Sequence, residues 1–171
     1  ESIERVDKAE RSMAVTQRLP FVEGMFIWTG IDYLGEPTPQ SWPSRSSYFG
    51  AADLACFPKD SYYFYRSQWG AEPVVHLLPH WNWPDHEGED VPVWCYTNCD
   101  RVELFLNGTS MGERARGETD RLHLAWLVRY EPGELRAVGY RGDEEVATAK
   151  RVTAGPAATV AFEADRTSVR A

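Results

Sequence analysis

Val91-Pro92-Val93-Trp94-Cys95-Tyr96, followed by Val102-Glu103-Leu104-Phe105-Leu106 and the dipeptide Asn107-Gly108, is the stretch on which the fold turns. Val91, Val93 and Cys95 alternate with Trp94 and Tyr96, and Val102, Leu104 and Leu106 alternate with Glu103 and Phe105. That period of two sets successive side chains on opposite faces of a strand, and Asn-Gly is the dipeptide that most readily closes a tight hairpin. Downstream, the same reading predicts strands over 122–130, 135–140, 145–153 and 159–162, punctuated by Glu131-Pro132-Gly133, Arg141-Gly142-Asp143 and Ala154-Gly155-Pro156. Six or seven short strands recurring every ~8–12 residues describe a β-sandwich of immunoglobulin-like size.

Upstream the pattern differs. Phe21, Val22, Gly24, Met25, Phe26, Ile27 and Trp28 form an apolar run closed by Gly30, which suits a strand buried on both faces, as in a parallel sheet. Nothing else in residues 1–70 offers a partner strand of that quality, so its sheet is expected outside the chain. From Gly30 to Pro58 the chain is rich in Gly, Pro and Ser, a long loop of a kind that usually carries function. Pro58-Lys59-Asp60-Ser61 then opens the aromatic run Tyr62, Tyr63, Phe64, Tyr65, Trp69, which predicts a short helix ending near Gly70, with Lys59-Asp60 as its cap. Strand, long loop and helix make a βα unit. Residues 1–19 are polar and loosely periodic, which leaves open a helix or an irregular lead-in ending before Pro20.

Composition narrows the function classes. Of 171 residues, 43% are hydrophobic and 13% aromatic, a globular balance that argues against a disordered or coiled-coil chain. No run approaches the ~18–20 apolar residues of a membrane span, so the composition reads as that of a soluble protein. The net charge of −8 disfavours nucleic acid and anionic membrane as partners. Three cysteines, Cys56, Cys95 and Cys99, do not make a disulfide framework; an extended chain would hold Cys95 and Cys99 more than ~7 Å apart. Histidines His76, His80 and His86 lie around Pro79 and Pro84, where no helix could present two of them to one metal. The reading assigns no metal, no cofactor and no catalytic residue.

A family resemblance joins the two halves. The segment Gly24-Met25-Phe26-Ile27-Trp28-Thr29-Gly30-Ile31-Asp32-Tyr33-Leu34-Gly35-Glu36-Pro37-Thr38-Pro39 resembles the end of the catalytic barrel in glycoside hydrolase family 2 β-galactosidases. The likeness continues through Phe57-Pro58-Lys59-Asp60, Trp69, His76-Leu77-Leu78-Pro79-His80-Trp81-Asn82-Trp83 and Val102-Glu103-Leu104-Phe105-Leu106-Asn107-Gly108. It implies a mainly β chain, an immunoglobulin-like β-sandwich preceded by the last strand-loop-helix unit of a (β/α)8 barrel. The implied domains are 1–70 as the barrel piece, 71–157 as the sandwich and 158–171 as a linker or the start of a further domain. Such enzymes retain configuration with two Glu residues about 5–5.5 Å apart. The resemblance places both upstream of Trp28, where Glu1, Glu4, Glu10 and Glu23 lack the required context. The chain therefore resembles a C-terminal fragment of a galactosidase without its catalytic pair.

The resemblance also nominates substrate-binding residues. Trp28, at the end of the expected barrel strand, would offer a platform for the C–H face of galactose. Glu36 would accept hydrogen bonds from sugar hydroxyls, and Asp32 would orient the loop or contact the sugar; loop-capping roles stand beside these for both carboxylates. Asp32 and Glu36 as a catalytic pair is disfavoured, because a Gly/Pro loop holds two carboxylates poorly. Glucuronide-cleaving relatives carry Asn-Lys-Lys in this loop, whereas here Phe49-Gly50-Ala51-Ala52-Asp53 stands, which favours a neutral galactoside. Trp81 and Trp83 are expected to pack the sandwich onto the barrel or line the rim of its cleft, and Asn107-Gly108-Thr109 to serve as a hairpin turn rather than a glycosylation acceptor.

The expected partners are a galactoside or oligosaccharide substrate and the rest of the parent enzyme chain; a homo-oligomer is left open. Compartment is not legible. The rival readings are a carbohydrate-binding or structural β-sandwich module, which would bind sugar in isolation, and a protein-interaction domain, which would self-associate through its aromatic patch.

Overall fold

The computed structural model describes residues 3–161 and 163. Two helices precede seven strands: α1 Ile3–Arg18, α2 Asp60–Trp69, β1 Val75–Leu78, β2 Asp90–Thr97, β3 Arg101–Leu106, β4 Thr109–Ala115, β5 Leu124–Arg129, β6 Glu134–Arg141 and β7 Glu144–Val152. The strands form two antiparallel sheets, β1-β2-β5 and β4-β3-β6-β7, an immunoglobulin-like β-sandwich as the alternating pattern predicts. Neither described helix is long and apolar enough to cross a membrane.

The period of two does the work inside the sheets. On β2 the inward residues Val93 and Cys95 are fully buried, opposite Trp126 and Leu124 of β5. On β3 Val102, Leu104 and Leu106 turn inward while Arg101, Glu103 and Phe105 stay half-exposed. Leu77, Trp81, Val93, Leu104, Trp126 and Leu135 meet in one core, and burying side chains of that size contributes ~1.5–3 kcal/mol each before chain entropy is set against it. Trp126 also donates its indole N–H to the Gly112 carbonyl across the two sheets, at 3.1 Å. Asn107 (φ 50°) and Gly108 (φ 82°) both take the left-handed conformation that a two-residue turn matching strand twist requires. The Asn107 carboxamide is used besides: its Oδ1 accepts from Glu134 N–H at 2.9 Å and its Nδ2 donates to the Pro132 carbonyl at 3.1 Å, tying the β3–β4 hairpin to the connection that crosses from β5 to β6.

Two strands escaped the pattern. β1 is only four residues long, and β4 (Thr109–Ala115) is a largely exposed edge strand with little apolar content to alternate. The expected strand at 159–162 has no counterpart: 159–161 are without regular structure, and 162 and 164–171 lie outside the described residues.

The apolar run 21–28 does not form a strand. It has no regular structure beyond a turn at Phe21 and a bend at Trp28, and Phe21, Phe26 and Trp28 expose 78%, 105% and 74% of their surface. A parallel strand needs neighbours to take its N–H and C=O groups, and among the described residues no strand pairs with this run; the isolated bridges Ile31 to Ala52, Leu34 to Ser46 and Ala52 to Pro58 lie beyond it. Residues 3–18, by contrast, resolve the open choice as helix.

The helices cover the outer face of β1 and β2. Met13, Phe64, Leu78 and Tyr96 form a second buried cluster. Two histidines pin it. His76 stacks on Tyr63 at 3.9 Å and reaches Asp60 with Nε2 at 2.7 Å. His123 stacks on Trp94 at 3.8 Å and reaches Glu10 with Nδ1 at 2.5 Å, while the other Glu10 oxygen accepts from Leu122 N–H at 2.9 Å. Two sequence expectations are corrected here. Lys59 stands at the N-cap position of α2 and Asp60 in its first turn, but Lys59 makes no side-chain cap bond and the Asp60 carboxylate turns to His76. Trp81 does not mediate packing of the sandwich onto the N-terminal part: it is 1% exposed inside the sandwich core, its indole donating to the Glu131 carbonyl, and Trp83 stacks on His80. Among the described residues no cluster of His, Cys, Asp and Glu could hold a metal.

Candidate functional site

The loop from Thr29 to Lys59 is built of backbone hydrogen bonds between distant stretches. Asp32 N–H donates to the Ala52 carbonyl and Ala52 N–H to the Gly30 carbonyl, both at 2.9 Å; Ser47 N–H donates to the Tyr33 carbonyl at 2.8 Å, and Gly35 N–H to the Arg45 carbonyl at 2.8 Å. These bonds lay residues 29–35 beside residues 45–52. Gly50 is required at the closest approach, because a side-chain carbon there would collide with the backbone of Ile31, Asp32 and Ala52.

Asp32 is the anchor of this arrangement. It is 6% exposed, and its Oδ1 accepts from Gly50 N–H at 2.7 Å. Lys59 donates to both its carboxylate oxygens, at 2.9 and 2.7 Å, and to the Tyr48 carbonyl at 3.0 Å. The Lys59 and Asp32 side chains are only 17% and 4% exposed, so this is a nearly buried ion pair in which Asp32 neutralises the lysine charge.

Glu36 lies on the other side of the loop. Gly35 (φ 101°) and Glu36 (φ 42°) both adopt the left-handed conformation and reverse the chain, which brings the Glu36 carboxylate to the Tyr33 hydroxyl. The Tyr33 hydroxyl donates to Glu36 Oε2; that bond favours the protonated phenol and holds Tyr33 above the usual tyrosine range. Tyr33 meets Trp28 edge-on, centroids 6.3 Å apart, and Phe49 at 6.0 Å. Trp28 opens at its other side onto a cleft of about 280 Å³ lined by Met25, Phe26, Phe49, Ser61 and Tyr65.

The structure thus brings Trp28 and Glu36 together through Tyr33, and sets Asp32 apart as a buried carboxylate bound to Lys59. Sequence reasoning passed over Tyr33 and Phe49. The available signal was the Tyr33–Glu36 spacing across Gly35, since a left-handed Gly turns the chain back on itself. An exposed indole beside a solvent-facing carboxylate can do two things: stack its ring face on the C–H face of a sugar and accept a hydroxyl hydrogen bond. It has no second carboxylate with which to divide acid and base roles.

Comparisons with known proteins find relatives along most of this chain. Residues 88–147 match a domain of unknown function, DUF4982. The chain is 46% identical over 163 residues to the β-galactosidase BoGH2A of Bacteroides ovatus, covering 95% of this chain and 19% of that protein. It is also 46% identical over 136 residues to a putative β-glucuronidase of Formosa agariphila, covering 77% of this chain and 13% of that protein. Among solved structures, a β-glycosidase from Bacteroides vulgatus superposes with a TM-score of 0.81 at 42% identity, over 95% of this chain and 20% of that one. A glycosyl hydrolase family 2 member from Bacteroides cellulosilyticus gives 0.77 at 30% identity, over 94% and 25%. The chain therefore spans about a fifth of the length of the relatives it matches.

Proposed function

We propose that this chain, whose homologues are glycoside hydrolase family 2 enzymes of which it matches a small part, contributes to a retaining β-galactosidase that hydrolyses terminal β-D-galactosides. On this reading residues 1–70 are the end of the catalytic barrel, residues 71–157 the sandwich that supports it, and residues 158–171 lead onward. The acid/base and nucleophile come from elsewhere in the parent protein.

The observation that carries the reading is the group of Trp28, Tyr33 and Glu36, a platform and an acceptor presented side by side on a loop whose far side is locked by Asp32 and Lys59. The exposed rings of Phe26 and Trp28 suit a surface completed by the remaining barrel strands. Relatives carry both galactosidase and glucuronidase names. A neutral galactoside is favoured because the charge of the loop lysine, Lys59, is already compensated by the buried Asp32 carboxylate rather than free to pair with a glucuronate.

The test is hydrolysis of 4-nitrophenyl β-galactoside and β-glucuronide by the longer protein that contains this segment, with and without Glu36→Gln, and by this chain alone. The longer protein prefers the galactoside. Glu36→Gln lowers kcat/KM by roughly 10- to 100-fold, the loss of a hydrogen bond to a charged group, and the chain alone is inactive. Turnover by the isolated chain that Glu36→Gln abolishes would place the chemistry in this segment, and preference for the glucuronide would reverse the substrate assignment. Tight galactose binding by the isolated chain, seen by titration, would favour a binding module instead.

A further inference from the structure

Trp42 is not used by the site described above. It exposes 75% of its surface, yet it is not loose: the Arg45 guanidinium lies over its ring, 4.6 Å from the centroid, and Arg45 is itself fixed by its carbonyl, which accepts from Gly35 N–H. Leu34 pairs with Ser46 at the neck of this loop. The indole is therefore propped on one face by a cation and held next to the turn that carries Glu36. Below it, Ser44 donates to the Tyr48 hydroxyl at 2.9 Å, and Trp42, Pro43, Ser44, Tyr48, Gln40 and Ser41 border a hollow of about 570 Å³, within the ~300–1,000 Å³ range of small-ligand sites.

We propose that Trp42 is the stacking platform for the sugar ring on the leaving-group side of the scissile bond. The proposal rests on the galactosidase reading and extends it from the galactosyl unit to its neighbour. Its physical basis is a division of labour along one loop. The Trp28 and Glu36 group receives one pyranose. A terminal galactoside has sugar in one direction only, so a second rigid aromatic face beside Glu36 meets the next ring. Arg45 occupies one face of the indole, polarises it and leaves the opposite face for the C–H surface of a pyranose. The residues around it include Ser41, Ser44 and Gln40, which offer hydroxyl and amide partners to a saccharide.

The experiment compares kcat/KM of the longer protein on a β-galactosyl-terminated oligosaccharide and on methyl β-galactoside, for the unmodified protein, Trp42→Ala and Trp42→Phe. The ratio of the two values falls about tenfold in Trp42→Ala, as expected for loss of one aromatic stacking contact, and stays within about threefold in Trp42→Phe, which keeps a ring. Should the alanine variant fail to fold, Trp42→Gln replaces it. A ratio unchanged in every variant overturns the proposal, as does an equal loss on both substrates, which would mark Trp42 as a purely structural residue. If the unmodified protein hydrolyses neither galactoside, the underlying reading falls and this proposal falls with it.

Discussion

Asp32 and Glu36 are two carboxylates on one loop, four positions apart, with opposite fates. Asp32 is enclosed by Gly50 and Lys59, whereas Glu36 faces solvent with only Tyr33 as a side-chain donor. The sequence could nominate both but not separate them, because what separates them is a lysine 27 residues downstream. The cysteines divide on the same ground. Cys56 is exposed, and Cys95 and Cys99 are buried; burial pushes the Cys95 thiol up to about 12. The unfolded chain loses that proton near the ordinary thiol value, so the folded state binds it more tightly and stability falls as pH rises through this interval. The slope from this group approaches ~1.4 kcal/mol per pH unit above about pH 9. Urea unfolding of the chain and of Cys95→Ala at pH 7.5 and 10 should show a smaller alkaline loss in the variant; equal losses would mean the thiol is not protected.

At the scale of elements, the contact between the helices and the sandwich combines a buried apolar cluster with buried polar pairs. Glu10 is 3% exposed and bonds both the His123 ring and Leu122 N–H, so α1 is fastened to the segment leading into β5, with Asp7 adding an ion pair to Arg121 at 3.1 Å. Glu10→Ala leaves two buried donors without partners, at a cost of about 2–4 kcal/mol. Limited proteolysis should then cut within residues 18–30 faster than in the unmodified chain, with the sandwich intact; unchanged cleavage would show that Met13 and Phe64 suffice. Helix α2 was readable from Pro58-Lys59-Asp60-Ser61, since proline just before a helix leaves no donor stranded. The partners of Lys59 and Asp60 were not, because the local signal for a cap is silent about Asp32 and His76 on other elements.

For the whole molecule, the two layers close over Trp81, whose ring lies at 5.1 Å from that of Tyr130 and whose indole N–H is bound to Glu131. Trp81→Ala removes a buried indole from the centre of the sandwich and should cost about 3–5 kcal/mol, read as a lowered urea midpoint; a loss below 1 kcal/mol would place Trp81 outside the core. The sequence by itself determined the sandwich. The alternation at 91–96, 102–106 and 124–129 is a local property, and each strand buries one face whichever strand it pairs with. It also determined the long loop after Trp28, since Gly, Pro and Ser disfavour regular structure wherever they are concentrated. Only the tertiary structure decided that Trp28, Tyr33 and Glu36 form one group, that Asp32 belongs to Lys59, and that Trp81 serves the core. It alone decided that residues 21–28, apolar enough for a strand, stay unpaired. Pairing, burial and charge partnership are relations between residues far apart in the chain, and a one-dimensional pattern records only what neighbours do.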